Sequence, residues 1–254
     1  MKRAMAVLAA AMLLWGASAT ADTLDFLKPF WMQMMDGVSN TASGKVPENV
    51  TVTCADERLT VEACGVLLEN DYSAEAHVYA VLKNTGSERL PIRSVQMTVL
   101  GANGNTLHQE NYVSYMPSVV EPGETMLVSE WMYDFVKEIG KVDSIQISVE
   151  TASRAHEKWK QLGDVRAWLD GDYLCVEFTN TTEKTLFGVI CAATVSDANG
   201  QILDMMMQSP YDTDDLGIAQ GSSIVWRKRL EDAATLKIGT DAVCKAWAYR
   251  MEDL

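Results

Sequence analysis

"NTGSERLPIRSVQMTVLGANGNTL" (Asn84 to Leu107) is answered 96 residues later by "NTTEKTLFGVICAATVSDANGQIL" (Asn180 to Leu203). The two stretches align without a gap and agree at nine of 24 positions. The shared pairs are Asn84/Asn180, Thr85/Thr181, Leu90/Leu186, Thr98/Thr194, Val99/Val195, Ala102/Ala198, Asn103/Asn199, Gly104/Gly200 and Leu107/Leu203. Ordinary composition supplies about one or two such identities. The chain therefore carries two copies of one module.

Outward from this stretch, the pattern is that of strands. "AHVYAVLKNTG" alternates, with Val78, Ala80 and Leu82 on one side, and ends in turn residues. "LPIRSVQMTVL" offers a second strand, and "ANGN" reverses it into "TLHQENYV". After the turn "VVEPGET" come "MLVSEWMY" and "SIQISVE", the latter with Ile145, Ile147 and Val149 on one face. The second copy repeats the order. Many short strands at this spacing predict a mainly β chain: two tandem immunoglobulin-like β-sandwich domains, residues 51–151 and 165–254, with a short N-terminal helix. Each copy also holds one helical candidate before its last strand, at 134–141 and 231–239.

Three segments lie outside the repeat. Residues 1–21 combine a basic start (Lys2, Arg3), an apolar run to Trp15 and small residues ending at Ala21, the three-part pattern of a cleaved secretory signal. The run is short for a membrane span, and the mature chain is expected to have none. Residues 22–50 read as an amphipathic helix and linker, with Phe26, Leu27, Phe30, Trp31, Met34 and Met35 on one stripe. That stripe suits packing on the first sandwich, or peripheral membrane contact through Phe26, Phe30 and Trp31. Residues 152–164 are polar, with helical propensity, and read as a spacer between the modules.

The whole chain has 21 Lys+Arg against 35 Asp+Glu, a net charge of −14 that becomes −16 when residues 1–21 are removed. Its longest basic string is "WRKRL" (226–230), so nucleic acid is not an expected partner. An exported chain can oxidise its cysteines, but five of them leave a remainder. Cys54 and Cys64 are near in sequence, but a tight hairpin at Asp56-Glu57 would set Cys54 against Leu59, so a bond between them requires a different turn or register. Cys191 with Cys244 is the guessed disulfide, and buried free thiols are the alternative.

Chemistry-bearing groups are sparse. His77, His108 and His156 lack the spacing of a helical zinc site and read as surface residues. Neither a Gly-x-Ser-x-Gly elbow nor a phosphate-cradling glycine loop occurs. The metal candidates are Asp212 and Asp214 in "YDTDDLG" (211–217), whose alternate spacing suits calcium. Leu216 stands where an oxygen ligand is wanted, however, and Ser223 where the closing glutamate would be. No cofactor is expected beyond such a calcium ion. The first copy has "YVSYMPS" (112–118) at the corresponding place. Because loops carry function on a sandwich, the candidate partner-binding residues are Tyr112, Tyr115, Met116, Tyr211, Asp212, Asp214 and Asp215.

The succession of "KNTG" or "TNTT", a strand, "ANG" and a later "PGET" resembles the FxLYD domain family of bacterial and archaeal extracellular modules, over roughly 75–150 and 170–250. The family's namesake positions fall on Met97, Val99, Leu100 and Gly101, and on Ala193, Val195, Ser196 and Asp197, of which Asp197 is a literal match. The resemblance implies immunoglobulin-like modules that are secreted or face the cell-envelope exterior, with no catalytic role. The expected function is non-catalytic binding of another protein or an envelope polymer at the bacterial cell surface. The alternative is a metal-dependent protein or hydrolytic enzyme with a site between the modules.

Overall fold

The computed structural model describes residues 46–70, 74–132, 141–154, 158–208, 217–230, 236, 238 and 241–252. Outside them lie the expected signal, the segment with Phe26, Phe30 and Trp31 for which a helix is expected, His156, Tyr211, Asp212, Asp214, Asp215 and nearly all of both helical candidates. The chain is mainly β, with no α-helix among the described residues and none long and apolar enough to cross a membrane.

The first copy contributes β1 (Val46–Pro47), β2 (Thr51–Cys54), β3 (Leu59–Asn70), β4 (Ala74–Asn84) and β5 (Leu90–Gly101). It continues with β6 (Thr106–Glu110), β7 (Ser114–Met116), β8 (Val119–Val120), β9 (Thr125–Met132) and β10 (Val142–Thr151). One sheet has the order β1-β3-β4-β9-β7 and the other β2-β10-β5-β6, with β8 on β5. Alternation decides what each strand buries. Val78, Ala80 and Leu82 of β4 meet Val95, Met97 and Val99 of β5 and Ile145 and Ile147 of β10 in one apolar core.

The second copy contributes β11 (Lys158–Leu162), β12 (Val165–Asp170), β13 (Tyr173–Thr179), β14 (Val189–Ser196), β15 (Ile202–Gln208), β16 (Ser223–Arg229) and β17 (Val243–Glu252). They form a four-stranded sheet β11-β17-β14-β15 and a three-stranded sheet β12-β13-β16. Leu174, Val176 and Phe178 of β13 and Trp226 of β16 are buried with Cys191, Ala193 and Val195 of β14. The result is a second β-sandwich.

Two expectations are corrected here. Lys158–Leu162, inside the predicted helical spacer, is a strand whose five residues pair with Ala248–Glu252 of β17. It belongs to the second sandwich, because an edge of β17 needs backbone partners more than a polar segment needs to be helical. Cys54 does not oppose Leu59. Cys54 pairs with Ile147 in a parallel ladder, and Leu59 pairs with Asn84, so the chain crosses between sheets at 55–58.

The repeated residues are the hinges of both sandwiches. Gly104 and Gly200 have φ of 72° and 85°. Each donates its N–H three residues back, to Gly101 and Asp197, at 2.7 and 3.0 Å. Only the glycine has positive φ in each loop, so the hairpin is a type I turn closed by a glycine bulge. Asn84 and Asn180 are fully buried and do the same work in both copies. Asn84 Nδ2 donates to the carbonyls of Glu88 and Val120, and Asn180 Nδ2 to those of Lys184 and Ile218, at 2.7–3.0 Å.

Candidate functional site

The two sandwiches meet along a seam. Residues 43–254 form one compact unit, and Leu67, Tyr79, Val81 and Leu127 of the first copy belong to the apolar core of the second. The sheet holding β4 is therefore covered on both faces. At Gly65 a Cβ would lie 1.8 Å from the Ile202 carbonyl oxygen, so β15 can approach β3 this closely only because position 65 has no side chain. Gln201 Nε2 donates to the Glu48 carbonyl at 3.2 Å, and Tyr249 Oη to the Thr125 carbonyl at 3.1 Å. Burial pushes the Tyr249 phenol well above its usual pKa, so it stays a donor.

Strand alternation brings a chain of ionisable groups to this seam. In "WRKRL" the odd and even positions separate: Trp226 and Lys228 point to the core side of β16, Arg227 and Arg229 to the other. Lys228 Nζ reaches Asp204 Oδ1 at 2.6 Å, and the Asp204 side chain is only 6% exposed. The same oxygen accepts the Met205 N–H at 2.7 Å and the hydroxyl of Tyr79, from the first copy, at 3.3 Å. Tyr79 Oη lies 3.4 Å from His77 Nδ1; His77 stacks on Trp131 at 4.7 Å, and Trp131 Nε1 donates to Glu75 Oε2 at 2.8 Å. His77, expected at the surface, is buried, because Trp131 lies directly opposite it on β9.

Three donors on one carboxylate oxygen satisfy a charge that would otherwise be costly to bury. The chemical work of Asp204 is thus to hold Lys228 and Tyr79 of opposite modules in one arrangement. Beside the seam, a cleft of about 190 Å³ is lined by Glu62, Val81, Thr194, Asp197, Gly200 and Lys245. Asp197 is occupied there, accepting N–H bonds from Asn199 and Gln201 at 2.9 and 2.8 Å. No group of three or more metal-ligating side chains occurs among the described residues.

"YVSYMPS" does not act as one loop. Tyr112 is 90% exposed. Ser114 to Met116 form β7, so Tyr115 and Met116 point to opposite faces. Tyr115 packs against the first core and donates to the Ile92 carbonyl at 3.5 Å; Met116 packs against the second. Of the three candidates in this stretch, Tyr112 is exposed and Tyr115 and Met116 are half-buried.

All five cysteines are free. The guessed Cys191–Cys244 bond does not form: Cys191 faces Ala248 and Cys244 faces Val195, four residues or about 13 Å apart along the strand. Burial raises the pKa of the Cys54, Cys64, Cys191 and Cys244 thiols and so disfavours the nucleophilic thiolate.

The solvent face of β12-β13-β16 is a further candidate that the sequence patterning did not single out. Cross-strand register stacks it in three rows: Arg166–Glu177–Val225, Trp168–Cys175–Arg227 and Asp170–Tyr173–Arg229. Arg166 pairs with Glu177, and Arg227 with Asp170. The Arg166 guanidinium also lies 5.2 Å from the centre of the Trp168 ring, and that of Arg227 4.8 Å from the Tyr173 ring. Their side chains are 73% and 51% exposed. The signal in the sequence was the alternation of "RAW" and "WRKR", legible only once these segments were known to be neighbouring strands.

No family model and no curated protein matches the chain. Among solved structures it is similar to red sea bream transglutaminase, at 12% identity and a TM-score of 0.20, over 78% of this chain and 29% of that one. A secreted serine protease, VesC from Vibrio cholerae, matches at 9% identity and TM-score 0.19, over 85% and 48%. A β-porphyranase of glycoside hydrolase family 86 from Bacteroides plebeius matches at 11% identity and TM-score 0.13, over 76% and 35%. The chain thus spans less than half the length of each of these structures.

Proposed function

We propose that this chain is an exported, non-catalytic protein of the FxLYD-like kind, whose two joined modules bind another protein or an envelope polymer at the bacterial cell surface. One contrast carries the proposal. The ionisable groups buried at the seam are spent on one another, from Lys228 through Asp204 to Tyr79, whereas the Arg166 and Arg227 guanidiniums of the β12-β13-β16 face stand exposed with donors to spare. The secretory pattern of residues 1–21 supports the location. Retention of the purified protein on intact cells and envelope fractions is the test. Enrichment of nothing beyond what an acidic control protein captures would sink the proposal.

A second function is favoured by one observation: the seam brings His77 and Asp204, from different modules, onto the same tyrosine hydroxyl. A metal-dependent or hydrolytic site between the modules would draw on them; Asp212 and Asp214, the acidic candidates of the sequence, lie outside the described residues. Calorimetry with calcium and with zinc distinguishes the two, since a bound ion gives heat and a rise in melting temperature.

A further inference from the structure

We infer that the solvent face of β12-β13-β16 is the binding surface, and that its partner is an anionic polysaccharide bearing repeated carboxylates. This rests on the binding function proposed above and names its site and ligand class.

Charge complementarity is the first ground. On a chain of net charge −14 this one sheet face sets three guanidiniums, Arg166, Arg227 and Arg229, against two carboxylates, Glu177 and Asp170. With screening over about 10 Å at moderate salt, a polyanion lying on the face feels these groups ahead of the acidic remainder of the molecule. Arg229 has no ion pair among the described residues.

Preorganisation is the second. A guanidinium held over an aromatic ring by cation–π attraction, as Arg166 is over Trp168 and Arg227 over Tyr173, is restrained before a ligand arrives, and its remaining N–H groups can grip a carboxylate. Arg166 spends Nε on Glu177, and Arg227 spends Nη2 on Asp170, so each fork keeps donors for a ligand. Tyr173 and Val225 are exposed apolar surface between the charges, suited to the C–H faces of sugar rings.

The layout selects a polymer over a single anion. Successive rows stand about 7 Å apart along the strands, and neighbouring strands about 5 Å apart. Arg229 and Arg227 therefore occupy adjacent rows of one strand, and Arg166 lies a further row on and two strands across. Each exposed charge pair is weak alone. A chain that carries its carboxylates in series makes the second and third contacts intramolecular and gains by effective concentration. Charged residues on β16 also deter pairing at a sheet edge, but edge protection gives no preference between polymers.

The test is calorimetric titration of the protein with polygalacturonate, monomeric galacturonate and neutral dextran at about 50 mM salt, repeated at about 300 mM. Binding of polygalacturonate alone is expected, weakened about tenfold at the higher salt. Arg166→Gln and Arg229→Gln should each weaken it about threefold, and together by about tenfold, with melting temperatures unchanged. Equal binding of dextran, or of the double variant, overturns the inference. So does absence of polygalacturonate binding; in that event, retention of the same preparation on envelope fractions decides separately whether the binding function falls with it.

Discussion

Asn84 and Asn180 are polar residues with no exposed surface, each bridging two backbone carbonyls from different segments. Replacing either with alanine removes the two bonds donated by Nδ2 and those accepted by Oδ1, from the Gly86 N–H at Asn84 and from the Thr182 N–H and hydroxyl at Asn180, and strands buried acceptors, at a cost of about 2–3 kcal/mol. Urea unfolding checks this, and the loss is expected to be at least as large at Asn180 as at Asn84, because Asn180 Oδ1 also accepts the Thr182 hydroxyl. Glycine substitutions should separate by cause. At Gly200 a Cβ meets open space, so Gly200→Ala costs only the left-handed backbone penalty of about 1–2 kcal/mol. At Gly65 the added carbon collides with the Ile202 backbone. Gly65→Ala therefore opens the seam and should lower stability further than Gly200→Ala in the same urea series.

Among elements, β15 and its counterpart β6 show how one sequence pattern reaches two environments. Both follow an "ANG" hairpin at the edge of a sheet. No residue of β6 is fully buried, its five positions being exposed or half-buried, whereas β15 lies against β3 and β4 and is buried over Ile202–Met206. An aspartate on a buried strand needs a counter-charge, and Lys228 supplies it. Lys228→Met leaves Asp204 in place without its cation and should cost about 2–3 kcal/mol, less than a fully buried pair because Lys228 is about a third exposed. Denaturant titration of Lys228→Met beside the double variant Lys228→Met/Asp204→Asn tests the coupling. Restored stability in the double variant is expected; equal stability of single and double would show that the pair contributes nothing.

For the whole molecule, a shared core predicts cooperative unfolding. Tyr79, Val81 and Leu127 are buried by the second sandwich, so neither module keeps its native surface if the other unfolds. Calorimetry should show one transition for residues 43–254, with equal calorimetric and van't Hoff enthalpies. The same seam gives an alkaline limit. Burial raises the pKa of the Cys191 thiol and the Tyr249 phenol in the folded chain, so unfolding releases groups that ionise more readily. Their contribution is complete below the unfolded values of about 8.5 and 10, and falls as pH rises beyond them. Melting temperature should therefore drop from about pH 9 upward, and Tyr249→Phe should flatten the upper part of that drop.

Periodicity and repetition were sufficient for the β-sandwiches. Val78, Ala80 and Leu82 point to one core because alternation with period two is a local property of the strand, and "ANG" turns the chain because only glycine enters the left-handed region freely. What the sequence left open depends on contacts between residues far apart in the chain. His77 is buried by Trp131 and placed beside Tyr79, and Asp204 draws its partners from positions 79 and 228. The helical propensity of 152–164 was likewise overruled at 158–162 by pairing with β17. Local pattern assigns each side chain to a face of its strand; only packing decides whether that face meets water, its own sandwich or the neighbouring one.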